Sequence, residues 1–375
     1  MVYVEFYNRI GDTGFDFVSE GILESFKSLN INWRAYKHHD FQMTALFNEH
    51  SINLLKVDTV LLIEDCFFYV EAVRVEDSTT GMINISGKSL AGKSTKRIVY
   101  PPYSTNSVRP EVIAYDLLNR NMITSTSDRQ LKYLTLGATP NFGTNAIPYQ
   151  NSYGVLSEEV NQLCTAYELC FREVPINLEN PIAQIEFYKG RDLSGIGGVE
   201  FNLKFENMTS ECFEHSIADW ATAAYVFGEG EGANRKSVIV TQDISTGRPQ
   251  GLDINEIYVD ARDLQQTFQN DAGQQVTLTD EQYRAQLIQR GEQSLAQRPL
   301  ILNINGDIDT KSQLFKFKKD YDLGDRVRQT SDLFGLTKTA ILTEMQETWD
   351  ADGHHLTPTF DKESPTIFDI LKRRN

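Results

Sequence analysis

Cysteine is scarce in this chain of 375 residues, with four in all: Cys66, Cys164, Cys170 and Cys212. They are too few and too scattered to staple a disulfide scaffold or to hold a zinc knuckle. Cys164 and Cys170 stand six apart on a helix-patterned segment and face different sides, so all four read as small apolar residues. Long apolar runs are also missing. No stretch approaches 18 residues, so no membrane-spanning segment is expected. The opening MVYVEFYNRIGDTGFDF alternates like a strand and lacks the basic start and apolar core of a leader, so a soluble product of a cytoplasm is expected. Clustered positive charge is confined to Lys372-Arg373-Arg374, while Asp and Glu outnumber Lys and Arg by 52 to 36, a net charge of -16. Specific nucleic-acid binding is therefore not expected, because phosphate contacts need clustered cations.

Catalytic and metal signatures are absent in the same way. There is no H-E-x-x-H and no G-x-S-x-G. The histidines, His38-His39, His50, His215 and His354-His355, read as solvated side chains, since neighbours on a strand point to opposite faces. Asp307 with Asp309, and Asp350 with Asp352, fall short of a twelve-residue calcium loop and read as turns. No catalytic residues, cofactor or metal are expected, and the chain is not read as an enzyme.

What is present is β-sheet. Hydrophobic residues make up 40% of the chain and aromatics 11%, enough for several modules with cores. The fold class expected is mainly β with α+β insertions. Glu24, Phe26 and Trp33 in ESFKSLNINW recur at identical spacing as Glu211, Phe213 and Trp220 in ECFEHSIADW. Each copy precedes a hairpin pattern opening on Asp-x-Val, at Asp58 and at Asp325. The repeated order suggests two duplicated β-barrel-like modules, the second holding an insertion of roughly 80 residues. Trp33 and Trp220 then read as core aromatics in equivalent positions; stacking on a sugar is the alternative.

Turn and helix signals divide the chain. A first β-barrel module is expected over 1–105, a small α+β domain over 106–180, and a second β-barrel module over 181–245 and 300–362. An inserted domain with a helix covers 246–299, and a short terminal helix lies within 363–375. Pro110 opens one helix, Ser157 is the expected cap of a second, and Thr279 with Gln282 form the capping box of the clearest one.

One motif invites a wrong conclusion. GKSLAGKS matches the phosphate-loop pattern through Gly87, Gly92, Lys93 and Ser94. A phosphate cradle needs a helix that starts at the lysine and aims its amides at the ligand. Here TKRIVYPP follows, leaving room for barely one turn, so a short packing helix over 89–97 is expected and the phosphate loop is judged false.

The same segment, INISGKSLAGKSTKRIVYPP, resembles a stretch of siphophage tail hub proteins. NEIYVDARDL, LIQRGEQSL, YDLGDRV and TAILTEMQETWDADGHHLTPTF continue the likeness in order along the chain. The short, lactococcal-type tail-associated baseplate proteins are the most similar, with the myophage baseplate hub as a more distant relation. The resemblance implies a virion protein at the tail tip. It implies a homotrimer whose paired modules make a pseudo-sixfold ring and dock on the hexameric distal tail protein. Tape-measure and receptor-binding baseplate proteins are further implied partners, with DNA passing through the channel without specific binding. Longer relatives carry a C-terminal lytic or binding extension that this sequence lacks, so no peptidoglycan-degrading activity is expected. A host-wall carbohydrate-binding adhesion module is the alternative reading.

Overall fold

The computed structural model of the chain describes residues 2–361 apart from 3, 11–15, 24–25, 47–53, 76–80, 127, 245–246, 270–273 and 312–313. Glu24, His50 and the expected terminal helix lie outside the described residues. Seven strands open the chain: β1 (Val4–Ile10), β2 (Asp16–Leu23), β3 (Ser28–Arg34), β4 (Asp40–Leu46), β5 (Val60–Ile63), β6 (Cys66–Arg74) and β7 (Met82–Ser89). A 3-10 stretch, Leu90–Lys96, leads to β8 (Tyr103–Val108), α1 (Pro110–Leu118), β9 (Leu134–Leu136), β10 (Ile147–Asn151), α2 (Leu156–Tyr167), β11 (Cys170–Asn177) and β12 (Ile182–Tyr188). Then come β13 (Glu200–Phe201), β14 (Cys212–Ser216), β15 (Ala223–Phe227), β16 (Ser237–Thr241), β17 (Glu256–Asp260), β18 (Thr267–Gln269), β19 (Gln275–Thr277) and α3 (Asp280–Ala296). The last elements are β20 (Ile301–Asn305), β21 (Arg326–Ser331), β22 (Leu336–Asp350) and β23 (Gly353–Phe360).

The period-2 pattern of β3 places Leu29, Ile31 and Trp33 inward and leaves the residues between them half-exposed. β4 repeats this with Phe41, Met43 and Ala45. β6 instead buries five consecutive residues, Cys66 to Val70. Cys66, Phe68 and Val70 join one core and Phe67 and Tyr69 another, so this strand is covered on both faces.

These strands form one open eleven-stranded sheet in the order β13-β21-β22-β3-β4-β7-β6-β5-β1-β2, with β23 beside β22. β22 ties the chain's two ends together. Its first half pairs with β21, and its second half lies between β3 and β23. Both Asp-x-Val hairpins, β5–β6 and β21–β22, therefore exist, and both belong to this sheet. Among the described residues no sheet closes into a barrel; strands from both expected modules share a single layer. The echo ends differently in its two copies. Trp33 is 3% exposed inside a strand, whereas Trp220 follows a turn after β14 and is only half-buried, so the two tryptophans are not equivalent core positions.

A second core gathers α1, α2, β9–β12 and the outer face of β5–β6. Helix α1 buries Ile113 and Leu117. α2 begins at Leu156 after Val155, with no side-chain cap, so Ser157 sits inside the first turn instead of capping it. A third core joins β15, β16 and β17 to α3 through Val226, Val238, Val259, Tyr283 and Leu287. The strands in ATAAYVFGEG and KSVIVTQD thus pack on the α3 helix, away from the large sheet, because their inward residues meet its apolar stripe.

Candidate functional site

The GKSLAGKS segment is a joint between the large sheet and the α/β layer. Gly87 lies within β7, where an added Cβ would fall 1.9 Å from the Tyr69 carbonyl oxygen, so glycine is required by strand-to-strand approach. Beyond it the chain makes only the 3-10 stretch from Leu90, not the long helix a phosphate site needs. The Ala91 amide donates to Glu173 Oε2 at 2.8 Å, so a protein carboxylate takes the donor that a phosphate would use. Lys93 turns back along the sheet, 2.9 Å from Asp58 Oδ1 and 4.0 Å from the Tyr69 ring centre. Gly92 abuts Lys88 and His38, and Ser94 is buried. All four motif residues are therefore engaged in packing or pairing within the chain.

Glu173 comes from β11, where the inward register set by Phe171 carries it into the interior. Burial pushes its carboxyl up to about 7. His39, which donates its amide to Ser89 Oγ and accepts the Arg34 amide at Nδ1, is fully enclosed, and burial lowers its imidazole to about 3. His38 is lowered to about 4 for the same reason.

Both Glu173 and His39 line a cleft of about 450 Å³ where the large sheet, the β11–β12 hairpin and the segment before β21 meet. Trp33 forms one wall. Its Nε1 donates to Glu347 Oε2 at 2.7 Å, and Glu347 Oε1 lies 2.8 Å from His354 Nε2. A tryptophan held this way offers no free face to a sugar, because the Lys318 ammonium sits 3.8 Å above its ring centre. Lys318 reaches there from a tight turn with φ +64°, its amide donating to the Tyr321 carbonyl, and it also pairs with Asp65 at 3.1 Å. Nearby, Gly190 and Gly324 allow backbones to touch, and Arg191 clamps the buried Asp325 with its amide and guanidinium.

The remaining sequence candidates stay apart. His215 is exposed, and His355 lies 3.6 Å from Asp350. Asp309 and Asp350 accept the amides of Lys311 and Asp352, the local bonds of turns. Among the described residues no three metal-binding side chains converge. Sequence reasoning missed Glu173, Lys318 and Asp322. A charged residue at an inward strand position, between Phe171 and Pro175, was the signal available for the first; the other two depend on a turn that no local pattern announces.

This architecture is shared from end to end with phage tail proteins. A tail protein from Neisseria meningitidis MC58 superposes with a TM-score of 0.55 at 11% identity, covering 96% of this chain and 97% of that one. The 43 kDa tail protein of prophage MuSo2 from Shewanella oneidensis gives 0.55 at 12%, covering 96% and 98%. Prophage tail protein gp18 from Listeria monocytogenes EGD-e gives 0.52 at 11%, covering 100% and 98%. The fold is thus a tail-protein fold. The chain belongs to the Siphovirus ReqiPepy6 Gp37-like protein family, whose sequence model matches residues 7–360. No curated protein matches it.

Proposed function

We propose that this chain is a structural, non-catalytic protein of a siphophage tail tip. It acts as a hub that assembles as a homotrimer, docks on the hexameric distal tail protein, closes the tail channel and opens for DNA ejection. The observation that carries this reading is end-to-end likeness. Fold similarity to three tail proteins covers at least 96% of this chain and 97% of each of theirs. On this reading the large sheet builds the ring, each chain giving two hairpin-bearing halves, and the α+β and inserted modules close or extend the tip. Tape-measure and receptor-binding baseplate proteins are its neighbours. The net charge of -16 suits a channel through which DNA slides without being held. The adhesion reading gains nothing from Trp33, whose ring is covered by Lys318.

Gold-labelled antibody against the chain, applied to intact virions and viewed by electron microscopy, tests the placement. Label is expected at the tail tip. Label along the tail tube, on the capsid or nowhere on the particle would overturn the reading.

A further inference from the structure

The cleft at the meeting of the large sheet and β11–β12 holds two cations of the chain's own, each on an aromatic face. Lys318 lies over Trp33 and pairs with Asp65. Arg172 lies 5.6 Å from the Tyr188 ring centre and pairs with Glu186 at 2.9 Å. Aromatic faces with adjacent carboxylates are the general chemistry of ammonium and guanidinium recognition. Two further carboxylates line the same cavity, Glu173 and Asp322; among the described residues neither forms a salt bridge, although the charges of Lys318 and Arg172 reach Asp322. Asp322 Oδ1 accepts the Leu323 amide. Glu173 is 5% exposed; its Oε2 accepts the Ala91 amide, the Ser89 hydroxyl and Leu90 amide lie close to the same carboxyl, and among the described residues no donor comes within hydrogen-bond distance of its Oε1. A buried acceptor left unpaired beside a cavity is costly unless a donor arrives from outside. The volume, about 450 Å³, lies in the range of ligand-binding cavities.

We propose that this cleft binds an ammonium or guanidinium group, which would lie between Glu173 and Asp322 against the aromatic wall. The Lys318 turn is the intramolecular counterpart of that group. It covers the Trp33 ring, while Glu173 lines the same cavity. Two sources can present the group: a free small amine, or the lysine or arginine side chain of a second copy of this chain. The inference goes beyond the structural role proposed above and does not depend on where the protein sits in the virion.

The test is calorimetric titration of the full chain at low salt and pH 8, where the Glu173 carboxyl is ionised, with N-acetyl-arginine amide and N-acetyl-lysine amide, using N-acetyl-norleucine amide as the uncharged control. Saturable binding of a charged probe, at least tenfold weaker in Glu173→Gln/Asp322→Asn and absent for the control, is expected. Lys318→Met, which vacates the Trp33 face and frees Asp65, is expected to tighten charged-probe binding at least threefold. That variant keeps the test decisive if the double variant fails to fold. No binding by either charged probe overturns the inference; so does equal binding in a folded double variant, equal binding of the control, or no gain in Lys318→Met. Light scattering then separates the sources. A loss of self-association in the double variant assigns the group to a second copy; unchanged association with lost probe binding assigns it to a free amine.

Discussion

At the scale of single residues, the account rests on close approach and on buried titrating groups. Gly87 has the Tyr69 carbonyl where a Cβ would go, so Gly87→Ala must push two paired strands apart. Forced overpacking of this kind costs about 1–3 kcal/mol, read as a lower urea midpoint; an unchanged midpoint would refute the packing role. Glu173 and His39 impose opposite pH dependences. The Glu173 carboxyl titrates near 7 when folded against 4.5 ordinarily, so the native state keeps a proton that the unfolded chain has released. Its contribution is full below pH 4.5 and is lost as pH rises through 7, amounting to at most about 3 kcal/mol. Glu173→Gln should therefore be more stable than the parent chain at pH 8 and nearly equal to it at pH 4.5. His39 is lowered from 6.5 to about 3, so its contribution is full above 6.5 and is lost as pH falls toward 3. Thermal melts of the parent and Glu173→Gln across pH 4.5–8 check the sign for Glu173; parallel curves would contradict that assignment. The glycine was legible only as part of the GKSLAGKS motif. Its own reason, a strand neighbour distant in sequence, could not be read locally.

At the scale of elements, the helix α3 was the most legible. Thr279 accepts the Gln282 amide and Gln282 returns a bond to the Thr279 amide, the reciprocal cap that the sequence announces. Thr279→Ala should lower stability by about 1 kcal/mol, measured by denaturant titration. A second face of this helix was not legible. Gln286, Gln289 and Gln293 are buried although glutamine usually marks a solvent face, and Gln289 donates to the Tyr167 hydroxyl of α2. Arg290 pairs with Asp263 and reaches the Gln150 carbonyl, so polar side chains link α3 to β10. The GKSLAGKS segment belongs to this scale too. Lys93→Met should remove only a half-exposed ion pair, worth about 0–1 kcal/mol, and leave virion assembly intact. A variant that assembles poorly while folding normally would count against a purely packing role for the segment.

At the scale of the whole molecule, the sequence carried both hairpins, the order of β and α segments and the family likeness. It did not carry the pairing of β22 with β3, which brings Trp33 and Glu347 into hydrogen-bond contact across 314 positions. Nor did the ten-residue echo reveal that its copies end in different structures, a strand at Trp33 and a turn before Trp220. Local patterns specify which face of a strand is apolar; they do not say which distant strand will cover it. The assembly is a further level again, since a sheet that among the described residues ends at β13 and β2 fits a ring of copies but does not count them. The central claim is therefore best tested by counting. Light scattering coupled to gel filtration should be run on the chain alone and with the hexameric distal tail protein. The account predicts a closed trimer of about 128 kDa, three times the 42.6 kDa chain, that enters a single complex with the hexamer. A chain that stays at 42.6 kDa in both runs would contradict the hub.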